Sequence, residues 1–285
     1  MPTGVEHQQR AERMRAQVRQ HYGSLVRTSS SCCGSGVPAQ SGCGPGCCGP
    51  ATDLSEHAMT LGYAQADTGA VPEGANLGLG CGNPLAIASL QPGETVLDLG
   101  SGAGLDCFLA ARQVGPDGHV IGVDMTPDMV ARARANAQEA DLPWVEFRLG
   151  EIEHLPVADA SVDLIMSNCV VNLSPDKPAV MREAYRVLRP GGRLAIADTV
   201  ATATLPEQAR QDLALWSCCI AGASTVGEWH ALLAEAGFVE IRIEPRESSR
   251  ALIATWAPGS RAEDYVLSAT IQAIKPGAPS AASCC

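Results

Sequence analysis

The stretch Val96-Leu97-Asp98-Leu99-Gly100-Ser101-Gly102-Ala103-Gly104-Leu105-Asp106-Cys107 constrains the fold more than any other part of the chain. Val96 to Leu99 predicts a short buried strand, and a helix is expected after the glycines. Glycines at alternate positions let the backbone turn tightly and come close to a ligand. Asp98 falls at the strand end, where a carboxylate can receive a cationic or hydroxyl-bearing group. The spacing is acid-x-G-x-G-x-G, not the G-x-G-x-x-G of dinucleotide sites.

Strand and helix signals alternate around this stretch. Further strands are predicted at 119–123, ending at Asp124, then at 145–149, 162–167 and 193–197. Helices are predicted at 105–113, 127–138 and 175–188, the last opened by Pro175 and stopped by Pro190-Gly191-Gly192. Such alternation implies an α/β protein with a parallel sheet and helices on both faces. Its ligands bind at the carboxyl ends of the strands. Beyond Thr199 the pattern changes to helices at 205–217 and 226–236, a strand at 239–244, a short helix at 249–256 and a last strand at 266–274. An N-terminal helix over 5–22 places Met14, Val18 and Tyr22 on one stripe; Arg10, Arg13, Arg15 and Arg19 around it read as a solvated face.

The 285 residues suit one large domain with an appendage, and the net charge of −11 disfavours nucleic acid as a partner. No apolar run approaches the ~18 residues of a membrane span, and the first residues lack the pattern of a secretory signal. The expectation is a cytoplasmic protein. Twelve cysteines are unusual there; in a reducing compartment they suggest a soft, thiophilic ligand rather than a disulfide framework. Cys32, Cys33, Cys43, Cys47 and Cys48 crowd an uncharged Gly/Ser/Pro-rich segment, and Cys284 and Cys285 end the chain. The segment reads as a flexible loop. Its thiols could capture a metalloid, or it could be a linker; lacking two clean C-x₂-C pairs, it argues against zinc.

Further motifs narrow the ligand. Asp124 ends the second strand, where an acid can accept hydrogen bonds from ribose hydroxyls. Gly150-Glu151-Ile152-Glu153-His154-Leu155-Pro156 follows the third strand, and Arg186-Val187-Leu188-Arg189-Pro190-Gly191-Gly192 precedes the fifth. In this order, with Asp98 to Gly104, the segments resemble the Rossmann-like class I methyltransferases that use S-adenosylmethionine. The resemblance implies cofactor binding by Asp98, Gly100, Gly102, Gly104, Asp124, Met125, Glu151, Ile152 and Asn168, with Glu151 and Ile152 at the adenine.

The substrate is pointed to by thiols near the strand ends. Cys169 lies in Ser167-Asn168-Cys169-Val170-Val171-Asn172-Leu173, just past the fourth strand. Cys218 and Cys219 lie in a segment able to roof that edge, and Cys81 lies in Gly80-Cys81-Gly82 ahead of the first strand. Cys107 reads as a small buried hydrophobe. These segments, with Ser174-Pro175-Asp176-Lys177 and Ile220-Ala221-Gly222-Ala223, resemble the arsenite methyltransferases over roughly residues 60 to 275. The resemblance implies that Cys81, Cys169 and Cys219 bind trivalent arsenic, and that a further cysteine comes from the Cys32-Cys33 or the Cys47-Cys48 pair. It also implies S-adenosylmethionine as methyl donor, an external thiol reductant of thioredoxin or glutathione type, and a role in detoxification. The thiols must be deprotonated to bind, so metalloid binding is expected to release their protons.

The expected organisation is an N-terminal helix and Cys-rich loop over 1–57, the methyltransferase domain over 58–200, and an α+β extension over 201–285 that covers the active site. Two alternatives remain: a methyltransferase of another small molecule, which leaves the three cysteines as coincidence, and a thiol-rich sequestration protein, which leaves the cofactor motifs unexplained.

Overall fold

The computed structural model describes residues 4–28 and 54–277. The order is α1 (Gly4–Thr28), α2 (Leu54–Leu61), α3 (Gln65–Thr68), α4 (Leu85–Ala88), β1 (Thr95–Leu99), α5 (Leu105–Val114), β2 (His119–Asp124), α6 (Pro127–Glu139), β3 (Val145–Leu149) and β4 (Val162–Asn168). Then come α7 (Lys177–Val187), β5 (Leu188–Ala201), α8 (Glu207–Gln211), α9 (Leu213–Ser217), β6 (Ser224–Thr225), α10 (Val226–Ala236), β7 (Val239–Arg246), α11 (Arg250–Trp256) and β8 (Val266–Ile274).

One sheet runs β3-β2-β1-β4-β5-β8-β7, with short β6 beside β5. The first five strands are parallel, and β8 is antiparallel to both β5 and β7. Both faces are covered, so the central strands are apolar on both sides. In β1, Val96 packs with Phe108 and Ala110 of α5, while Leu97 and Leu99 join Val180 and Met181 of α7 and Trp229 of α10 on the opposite face. The C-terminal strands β7 and β8 complete this sheet, so the boundary expected at residue 200 falls inside a continuous core, at the end of β5.

Three local departures from the sequence reading have identifiable causes. Pro175 does not open α7; Asp176 caps it, accepting a hydrogen bond from Ala179 N at 3.0 Å. Pro190-Gly191-Gly192 lies within β5 as an irregularity whose backbone pairs with Lys275. The helix expected over 205–217 breaks at Asp212, whose carboxylate caps α9 by accepting from Ala214 N at 2.7 Å, competing with the continuing helix for backbone donors.

Candidate active site

The cleft opens at the carboxyl ends of β1, β2 and β4, as the topology requires. It encloses about 1040 Å³ counted to its mouth, and its lining includes Asp98, Gly100, Gly102, Asp124, Met125, Ile152 and Asn168. Gly100 and Gly102 have positive φ of 72° and 52°. A Cβ at Gly100 would come within 2.4 Å of Val170, whereas one at Gly102 would meet only open space. The turn therefore brings bare backbone to the cleft. Gly104 lies just outside the lining; its φ of 101° and its contact with Phe108 and Phe147 fit it to start α5.

The acids are held in place by backbone donors. Asp124 accepts from Gly102 N at 2.9 Å and from Thr126 N at 2.8 Å. Asp98 is buried and accepts from the Cys107 thiol at 3.3 Å. Burial, then the nearby Asp106 charge, pushes its carboxyl well above the usual range. Burial also raises Asp106, to about 6, against hydrogen bonds from Tyr63 and Asn168. No basic side chain is paired with either acid by an ion pair among the described residues. Ser101 Oγ, also lining the cleft, is buried with no hydrogen-bond partner. Acids without a basic partner and an orphaned hydroxyl are a donor and acceptor set that fits the charged methionine end of S-adenosylmethionine, and Asp124 stands at the end of β2 in the same cleft.

Helix α1 closes this cleft. Val18 and Tyr22 line it, and Val18 packs with Leu173 and Cys219. Two of the arginines expected to be solvated are ion-paired. Arg15 reaches Glu151 at 3.3 Å and Glu153 at 3.1 Å, and Arg19 reaches Glu151 at 3.2 Å. The Glu151 side chain thus carries α1, while Ile152 and Glu153 face the cleft. The unpartnered apolar stripe on α1 was the sequence signal that the helix needed a surface to pack on.

The thiols meet beside the cleft. Among the described residues Cys81, Cys107, Cys169 and Cys219 are free. Cys81, Cys169 and the buried Asp198 bring their ligand atoms within 4.8 Å of one another, and Cys219 Sγ lies 2.9 Å from the Cys169 carbonyl oxygen. Cys218 is disulfide-bonded, which leaves Cys219 as the available thiol of the pair. Cys107 sits under Asp98 and outside the cluster. Cys32, Cys33, Cys43, Cys47, Cys48, Cys284 and Cys285 lie outside the described residues.

Cys169 and Cys219 adopt left-handed backbone conformations, with φ of 59° and 58°. Such strain in a non-glycine residue persists only where the surroundings impose it, and it clusters at functional sites. Burial, chiefly, holds the thiols of Cys81 and Cys169 above their ordinary pKa. Cys219 is drawn down by hydrogen bonding with Cys169, but burial and the Asp198 carboxylate outweigh that and leave it raised.

Several supporting residues were not singled out from the sequence. Asn172 donates to Asp198 Oδ1 at 2.9 Å and to Thr199 O at 2.6 Å; Thr199 Oγ1 donates to Cys219 O at 2.6 Å. Lys177 Nζ donates to Gly222 O and, at 2.8 Å, to Ser224 Oγ. Together they fasten the Cys219 loop to the end of β5. Asn172 and Lys177 stand in the segment that carried the resemblance, so their positions were visible but their roles were not.

The fold and the cleft are those of the class I methyltransferases. The family described as a methyltransferase domain matches residues 90–237. The arsenite methyltransferase of Halobacterium salinarum is 53% identical over 265 residues, 93% of this chain and 67% of that protein. That of Aquipseudomonas alcaligenes is 45% identical over 58% of this chain and 49% of its own length. Among solved structures, the arsenic(III) S-adenosylmethionine methyltransferase of Chlamydomonas reinhardtii superposes with a TM-score of 0.58 at 32% identity, covering 81% of this chain and 76% of the other. The chain belongs to the arsenite methyltransferase family. It spans about half to two thirds of the length of these two relatives.

Proposed function

We infer that the chain transfers the methyl group of S-adenosylmethionine to trivalent arsenic held by Cys81, Cys169 and Cys219. The observation that carries this is the convergence of three free thiols, from three separate loops, beside the cofactor cleft, which Cys169 lines. Trivalent arsenic is soft and prefers sulfur. The raised thiol pKa values keep the cysteines protonated at neutral pH. Each As–S bond then forms as a thiol proton leaves with an arsenous hydroxyl as water, so the proton is carried off in water and none is released in net.

Sulfur ligation leaves the arsenic lone pair free to attack. The bound sulfonium supplies an electrophilic methyl. Asp98 and Asp124 hold the two ends of its carrier, the glycine turn admits it closely, and Val18 and Tyr22 on α1 exclude water. The protein's part is thus orientation, an effect that can supply about 7 kcal/mol or more of barrier lowering. No side chain needs to act as a base on the attacking atom. Methyl transfer consumes the lone pair and leaves arsenic pentavalent; two thiols of a thioredoxin- or glutathione-type reductant return it to the trivalent state as they form a disulfide. The reaction belongs in a reducing cytoplasm and serves detoxification.

Incubation with labelled S-adenosylmethionine, arsenite and reductant tests this, with methylated arsenic as the expected product. Arsenite bound without methyl transfer would mark a sequestration protein instead, and label transferred only to another small molecule would mark a different methyltransferase.

A further inference from the structure

Three thiols can share one atom only if two loops are brought to Cys169. The Cys219 loop is fastened by Asn172, Thr199 and Lys177. The Cys81 loop lies outside any strand, and one side-chain amide ties it directly to the end of β4. Asn168 Oδ1 accepts from Cys81 N at 3.0 Å, and Asn168 Nδ2 donates to Gly82 O at 2.8 Å. A Cβ at Gly80 would lie 2.8 Å from both heteroatoms of that amide, and Gly80 has a φ of 115°. Glycine is needed there for close approach and for the backbone angle. Asn168 ends β4 and immediately precedes Cys169, so a single residue ties the backbone of one thiol to that of another.

The amide is itself oriented. Nδ2 donates to the Tyr63 hydroxyl at 2.9 Å, and Tyr63 donates to Asp106 Oδ1 at 2.6 Å. Tyr63 is buried. With its proton committed to Asp106, its oxygen can only accept, which sets the nitrogen of Asn168 toward it and the amide oxygen toward Cys81. All the polar atoms of Asn168 are thus engaged by the protein, although the residue lines the cofactor cleft.

We propose that Asn168, oriented by Tyr63, is a positioning residue of the thiol site that sets the reach of Cys81 to Cys169 and thereby selects among trivalent arsenicals. This rests on the arsenic reading of that site. Arsenous acid has three exchangeable hydroxyls, and each As–S bond forms as one of them leaves as water with a thiol proton. Methylarsonous acid has only two, so two thiols suffice for it, and Cys169 and Cys219 remain in place when the Cys81 loop is loosened. Loosening Cys81 therefore penalises arsenite more than its methylated product.

The test uses the full chain carrying Asn168→Ala or Tyr63→Phe. The readouts are kcat/KM for arsenite and for methylarsonous acid, the As–S coordination number by X-ray absorption, and S-adenosylmethionine affinity by calorimetry. Asn168→Ala is expected to lower the ratio of arsenite to methylarsonous kcat/KM by about 10- to 100-fold, the range that two lost hydrogen bonds produce. The coordination number of bound arsenite falls from three toward two, and cofactor affinity stays within about threefold. Tyr63→Phe, which removes one oxygen and keeps the packing, shifts the ratio in the same direction by less. An unchanged ratio in Tyr63→Phe would overturn the orientation argument even if Asn168→Ala failed to fold. Equal losses on both substrates would make Asn168 merely structural, and a lost cofactor affinity with an unchanged ratio would make it a cofactor ligand. A wild-type chain that binds no arsenite would instead overturn the proposed function.

Discussion

The left-handed backbone of Cys169 makes an unusual stability prediction. At φ of 59° a residue with a Cβ costs about 1–2 kcal/mol relative to glycine. Replacing alanine by glycine elsewhere costs roughly 0.4–1 kcal/mol because the unfolded chain gains freedom. The two effects oppose each other at position 169, and the strain is the larger. Cys169→Gly should therefore be more stable than Cys169→Ala by about 0.5–1 kcal/mol. Both variants lose the same thiol, so the comparison isolates the backbone. Cys107 provides the control: it is buried within α5, where glycine should be about 1 kcal/mol less stable than alanine. Urea unfolding of the four variants measures both differences. A chain of this size should show them as shifts of about 2–4 °C per kcal/mol in thermal melts. If Cys169→Gly were less stable than Cys169→Ala, the strain would not be real. Both position-169 variants should be inactive on arsenite, which would show that the strained residue is kept for its sulfur.

Cys169→Ser and Cys219→Ser are each expected to abolish methylation of trivalent arsenicals while leaving S-adenosylmethionine binding intact; normal turnover in either would remove that thiol from the site. Asp124→Ala should weaken cofactor affinity, by the order of tenfold for one or two lost hydrogen bonds, and calorimetry showing no change would exclude the ribose role. Cofactor affinity should also depend on pH. A cationic ligand binds the ionised acids, and burial raises both Asp98 and Asp106, the latter to about 6, so affinity weakens as pH falls and these carboxylates take up protons, by up to about tenfold per unit for each group. A flat profile between pH 5 and 8 would refute the pairing, and Asp106→Asn should make it shallower.

The cofactor half of this protein was legible in the chain. Strand, glycine turn, helix and terminal acid are all local, and each of β1, β2 and β4 formed within a residue or so of its predicted place. That locality is physical: a buried parallel strand needs an apolar run, and a tight turn needs glycine at particular positions. What could not be read locally was which side chains hold the parts together. Glu151 was placed at the adenine, but it carries the arginines of α1, 132 residues away in the case of Arg19. The C-terminal strands were expected to form an extension, yet β8 lies between β5 and β7 in the same sheet.

The thiol site shows the division most sharply. The sequence alone placed Cys169 just past a strand, Cys81 on a loop ahead of the first strand and Cys219 in a segment able to roof that edge, because each adjoins elements set by local pattern. Only the tertiary structure decided that they meet. Asn168 pins the Cys81 loop across 87 residues of chain, and Asn172 and Lys177 pin the Cys219 loop across roughly fifty. Hydrogen bonds of that range depend on distances that exist only once the sheet has assembled, so their geometry is a property of the packed fold and not of any segment.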